Sequence, residues 1–188
     1  MKQICILAIL FMLMLFIGSG KGFAEEPMPG SMITGSETLV LNGKGTRTKF
    51  FLTLYEAGLY LRERSDDAGK IVAAESPMAI LLLIKSSMIT SEKMEKATLE
   101  GFEKSTRGNT AALEKEIEQF ISVFREEIRE DDVYDMIYLP SKGVQVIKNN
   151  KQAAIIPGLA FKKALFGIWL SPDPVQESLK RELLGTGT

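Results

Sequence analysis

Residues 78–85 read MAILLLIK, bounded by Pro77 and Ser86. An unbroken apolar run of that length reads as a strand buried on both faces, so the chain must build a sheet around it. Other strand patterns flank it. Glu37 to Leu41 predicts a short strand, Asn42-Gly43 a turn, and Arg47 to Leu61 a long aromatic and apolar strand in which Gly58 marks a bulge or close backbone approach. Val133 to Leu139, Val144 to Lys148 and Gln152 to Ile156 predict a three-strand meander with PSKG and KNNK as its turns. Helical signals lie between these groups. Ser65 with Asp66 and Asp67 opens a short helix to about Ala74, and Thr90 or Ser91 caps one running to about Lys104. Asn109 opens the clearest helix, with Leu113, Ile117, Phe120, Ile121, Phe124 and Ile128 at spacings of three and four. Leu159 to Leu170 and Val175 to Leu184 follow. Antiparallel strand groups separated from helices predict an α+β domain with helices packed on one face of a large sheet.

The N-terminus is set apart by its composition. Lys2, the apolar run Ile4 to Ile17 and then GSGKGFA have the three-part layout of a secretory signal peptide with cleavage after Ala24. An uncleaved anchor is the alternative, although the run falls short of the ~20 residues needed to span a bilayer. Residues 25–36, EEPMPGSMITGS, read as an irregular lead-in, and residues 37–188 as one domain. The expected location is the periplasm, with no stable membrane anchor once the signal is removed.

Two absences narrow the chemistry. The chain has no histidine, and its single cysteine, Cys5, lies within the expected signal peptide. Thiolate nucleophiles, Ser-His and Cys-His pairs, the usual zinc ligand sets, disulfides and His-ligated haem are excluded from the mature protein, and no metal or cofactor is expected. A formal net charge of −1 gives no electrostatic reason to expect nucleic acid. The domain is expected to be a monomer.

Few residues remain to carry recognition. The acids Glu126-Glu127 and Asp131-Asp132 sit in the polar stretch REEIREDD and read as solvated. Tyr134, Tyr138 and Trp169 lie in amphipathic elements and read as packing groups. NGKG lacks the spaced glycines and the Lys-Ser/Thr pair of a phosphate loop. Arg47 differs because apolar strand residues follow it closely. A guanidinium in such a place either meets a carboxylate bidentately or snorkels to water from an edge strand.

The ordered set GKGTR, YEAGLYL, TSEKMEKATLEGFEK and IPGLAFKKALFGIWLSPDPVQESLK resembles the bacterial branch of the chalcone isomerase-like family, over roughly residues 37 to 184. The resemblance implies an open-faced β-sandwich in which a large antiparallel sheet packs against helices, with a ligand cleft between them. Plant members with isomerase activity close a flavanone ring without a cofactor, using an arginine to stabilise an enolate. Related members bind fatty acids, with an arginine and a tyrosine holding the carboxylate. Arg47 matches the family arginine in its G-x-G-x-R setting, and Tyr55 stands where the isomerases have threonine. Thr90 and Ala97 replace a tyrosine and an asparagine that orient the isomerase substrate. The resemblance therefore implies binding of a small amphipathic carboxylate at Arg47 and Tyr55, with no catalytic residue assigned and efficient chalcone cyclisation disfavoured. The alternative is a cofactor-free isomerase or lyase acting on an α,β-unsaturated carbonyl compound. One geometric condition attaches to the pair. Eight residues of straight strand would hold Arg47 and Tyr55 about 26 Å apart, so the chain must turn near Phe51-Leu52 for them to meet.

Overall fold

The computed structural model describes residues 28–187. Seven antiparallel strands form one sheet in simple sequence order: β1 (Ser31–Thr34), β2 (Glu37–Lys49), β3 (Leu52–Leu61), β4 (Met78–Ile84), β5 (Val133–Leu139), β6 (Gly143–Lys148) and β7 (Lys151–Ile156). The helices are α1 (Ala68–Ala73), α2 (Ser91–Ser105), α3 (Glu114–Ile121), α4 (Leu159–Leu170) and α5 (Glu177–Leu183). β4 is central and every one of its residues is buried. Its alternate side chains serve two clusters. Met78, Ile80, Leu82 and Ile84 join the main core beneath the helices, while Ala79, Leu81 and Leu83 join a smaller cluster on the opposite face with Leu39, Tyr60, Ile137 and Leu139. The α+β architecture with an antiparallel sheet and a helical layer agrees with the sequence reading.

The helical layer follows from the expected apolar faces. Phe102 of α2, Phe120 of α3 and Phe161 of α4 meet with ring centroids 5.7–5.9 Å apart, within the range at which aromatic pairs attract. Asp67 and Thr90 cap α1 and α2 by accepting from the backbone N–H groups of Lys70 and Lys93. The α3 region is shorter than its periodicity suggests. It is a 3₁₀ turn, eight α-helical residues and a second 3₁₀ turn, so Ile128 is buried outside any helix.

Three readings need correction. The lead-in is not irregular throughout, because Ser31–Thr34 pairs with Glu37–Val40 as an edge strand. Asn42-Gly43 is not a turn, and β2 runs through it for 13 residues. The Asn42 side chain donates to the carbonyls of Ser65 and Leu183 and accepts from Ser65 N, which ties it to neighbouring elements. The expected long strand is instead broken at Phe50-Phe51, where both residues adopt positive φ, 51° and 66°. Lys49 pairs with Leu52 across that two-residue loop, so Arg47–Leu61 is a hairpin. The expected signal peptide, residues 1–24, lies outside the described residues.

Candidate functional site

The hairpin supplies the required turn. Arg47 on β2 and Tyr55 on β3 are directly opposed cross-strand partners, and Tyr55 pairs onward with Ile84 of β4. Opposed residues project from the same face of a sheet. That face is the helix-covered one, because Tyr55 belongs to the main core.

α5 completes the site by lying directly on β2. The glycines of NGKG make this possible, since a Cβ on Gly43 would overlap the Glu182 carbonyl oxygen and one on Gly45 the Glu182 carboxylate. With no side chain between the two backbones, Glu182 Oε2 accepts from Thr46 N at 2.9 Å. The segment leading into α5 then brings Gln176 against Arg47. Gln176 Oε1 accepts from Arg47 Nη1 at 2.9 Å and from Thr48 N at 3.0 Å, while its Nε2 donates to Thr46 O at 3.1 Å. Arg47 Nη1 also donates to Thr48 O at 2.8 Å. Both acceptors of the Arg47 side chain are neutral, and among the described residues Arg47 forms no ion pair. The charge is solvated by dipoles and matched by no carboxylate.

Tyr55 is only 8% exposed. Its hydroxyl accepts the Trp169 indole N–H at 3.1 Å, and among the described residues no acceptor takes its own proton. Burial raises its pKa, only partly opposed by the Trp169 hydrogen bond and by the positive charge of Arg47. The phenol is therefore neutral at physiological pH and is a hydrogen-bond donor in waiting.

The structure brings both expected site residues together. It adds Trp169, read from sequence as a packing group, and Gln176, which carried no pattern of its own. Their signal is long-range: SPDPVQ follows α4 closely enough to return the chain to β2. Tyr134 and Tyr138 are core residues as expected. Asp132 corrects the solvated reading of the acidic stretch. It is buried and accepts from Arg129 N and Asn149 Nδ2, which together with Lys148 hold its pKa low against burial. Thr90 is the cap of α2 and Ala97 is exposed on it.

Two open clefts of about 1070 and 750 Å³ lie elsewhere in the helical layer, the first between α2 and α3 and the second among α1, α2 and α4. Neither is lined by Arg47 or Tyr55. Among the described residues no cluster of His, Cys, Asp and Glu could hold a metal ion, and no helix is long and apolar enough to cross a membrane.

The architecture is similar to the crystal structure of a fatty-acid binding protein from Arabidopsis thaliana, with a TM-score of 0.63 and 15% identity over 84% of this chain and 90% of that one. No curated protein sequence matches the chain. The sequence profile described as chalcone isomerase-like matches residues 21–185, nearly the whole of it. The chain belongs to the chalcone isomerase-like family.

Proposed function

We propose that the protein binds a small amphipathic carboxylate, such as a fatty acid, in the periplasm. The observation that carries this is the pairing of a half-buried guanidinium with a buried tyrosine hydroxyl on one face of one hairpin, where among the described residues the first meets no carboxylate and the second no acceptor. A ligand carboxylate answers both deficits. One oxygen would take the place of Gln176 Oε1 on Arg47, giving an ion pair where the acceptor is now neutral, and the other would accept the Tyr55 proton in a charge-assisted hydrogen bond. Leu54 and Val175, the chain neighbours of Tyr55 and Gln176, are partly buried apolar side chains against which an acyl chain could start. The fatty-acid binding protein of similar fold supports the choice of ligand.

A neutral Tyr55 suits donation to a bound anion and does not suit proton abstraction. Mass spectrometry of extracts from the purified wild type and the Arg47→Ala variant tests the proposal. The expected result is a long-chain carboxylate in the first and its loss from the second, and equal content in both would sink it. N-terminal sequencing of exported protein tests the location, with a start at Glu25 expected.

A further inference from the structure

The tip of the β2–β3 hairpin is built against the preferences of its own residues. Phe50 and Phe51 occupy the two central positions of a two-residue hairpin loop, both with positive φ. Such loops favour Asn-Gly or Gly-Gly, and bulky residues there store local strain. Core packing does not offset that strain, because Phe50 is 82% exposed, Phe51 106% and the adjoining Leu52 47%.

The tip also protrudes. β4 ends at Ile84, opposite Tyr55, so residues 49–52 stand beyond the end of the neighbouring strand by on the order of 10 Å. Met88, also exposed, lies on the loop that leaves β4 at this same end. From Asn42 to Leu54 the hairpin carries three cations, Lys44, Arg47 and Lys49, and no acid. Lys49 Nζ sits 5.8 Å from the Phe50 ring centroid, so charge and aromatic surface are presented together. The acids Glu130 and Asp131 lie across β4, where Asp131 pairs with Lys85 and Glu130 accepts from Ser87 N.

We propose that Phe50, Phe51 and Leu52 form a finger that inserts reversibly into the interface of a lipid bilayer, with Lys49 at the headgroup level. A convex tip of three apolar side chains is too small for a stable protein interface, which buries roughly 1,200–2,000 Å². It suits a bilayer interface, where aromatic rings partition shallowly and cations gain from anionic lipid. On the proposed function, which this consequence rests on, the finger places a membrane reservoir of amphipathic carboxylate three residues from both Arg47 and Tyr55.

The test uses the full chain with Cys5→Ser and a single environment-sensitive dye, carried at Phe51→Cys or, as control, at Ala153→Cys on the far edge strand. Vesicles of phosphatidylethanolamine and phosphatidylglycerol should shift the emission of the label at 51 to shorter wavelength, with quenching by shallow brominated lipid. The label at 153 should not respond. No response at 51 while the protein is vesicle-bound, or equal responses at both sites, would overturn the inference. A shift at 51 that grows with protein concentration without vesicles would assign the finger to a second copy of the chain and also overturn it. Because the label reads position 51 locally, any vesicle binding by residues 1–27 does not decide the outcome. The Phe50→Asn/Phe51→Gly variant supplies the second arm. It should melt at a higher temperature yet transfer fatty acid from vesicles several-fold more slowly, with unchanged affinity for free fatty acid. A lower melting temperature or unchanged transfer would count against the finger. If the protein binds no fatty acid, the label still decides membrane insertion.

Discussion

Arg47 and Tyr55 show how single residues mark a candidate site through what they lack. Each is held in place by a neutral partner, Gln176 for the guanidinium and Trp169 for the phenol, and each keeps hydrogen-bonding capacity in reserve. Removing the tyrosine hydroxyl alone should therefore weaken carboxylate binding without unfolding the protein. Tyr55→Phe is expected to lose about 1 kcal/mol, several-fold in affinity, measured by titration calorimetry with a fatty acid. Trp169 is the only tryptophan, so its fluorescence reports the same event. Arg47 was legible in sequence because a charge beside a strand-like run needs a partner. Trp169 was not, because an indole in an apolar helix looks the same whether its N–H is used or idle. Lys162 was equally hidden. Its ammonium is fully buried and donates to the carbonyls of Ile71, Val72 and Ala74 at 2.8–2.9 Å, capping the end of α1 beside the rings of Tyr138 and Phe166. Burial and neighbouring Lys163 bring its pKa down to about 8, which leaves it mostly charged at pH 7. Lys162→Met would leave three carbonyls without their donor, one buried and two part-buried, and should cost about 3 kcal/mol in urea unfolding.

At the scale of elements, the candidate site is assembled because α5 rests backbone to backbone on β2. Asn42-Gly43 predicts a turn from sequence, since local rules read Asn-Gly as a hairpin signal. Long-range packing overrides that rule, and the turn falls instead at two phenylalanines that local rules disfavour. No window of sequence contains both β2 and α5, so the true reason for the glycines was not legible. Gly43→Ala should drive α5 away from β2, costing about 2 kcal/mol and weakening ligand binding through the displaced Gln176 segment. Gln176→Glu probes the same contact in the opposite sense. A carboxylate at 176 would pair with Arg47 and abolish binding of fatty acid by occupying its place, while the loss of the Nε2 donor to Thr46 O offsets the gain in stability. Unchanged affinity in that variant would show that Gln176 does not stand where the ligand carboxylate goes.

Across the whole molecule, the sheet divides the protein into two unlike halves. The helix-covered face carries the main core and the site, and the β4, β5–β7 and α4 patterns that build it were readable from periodicity nearly to the residue. The opposite face holds a smaller apolar cluster and Asp135, whose cross-strand partners are Leu81 and Ile147. Burial raises its pKa to about 6. A carboxyl whose folded pKa exceeds its unfolded value of 3.8 binds protons more tightly when folded. Stability should therefore fall as pH rises from about 4 to 6, by on the order of 2 kcal/mol. Asp135→Asn should remove that slope in urea titrations across this range. The central claim is that a carboxylate is held at Arg47 and Tyr55. The most direct measurement is carbon-13 NMR of a long-chain fatty acid labelled at its carboxyl carbon, titrated with acid in the presence of the protein. The predicted result is a distinct bound resonance that stays ionised well below the pH at which the free acid protonates, and that is lost in Arg47→Ala. No bound resonance, or one that titrates identically in the two proteins, would contradict it.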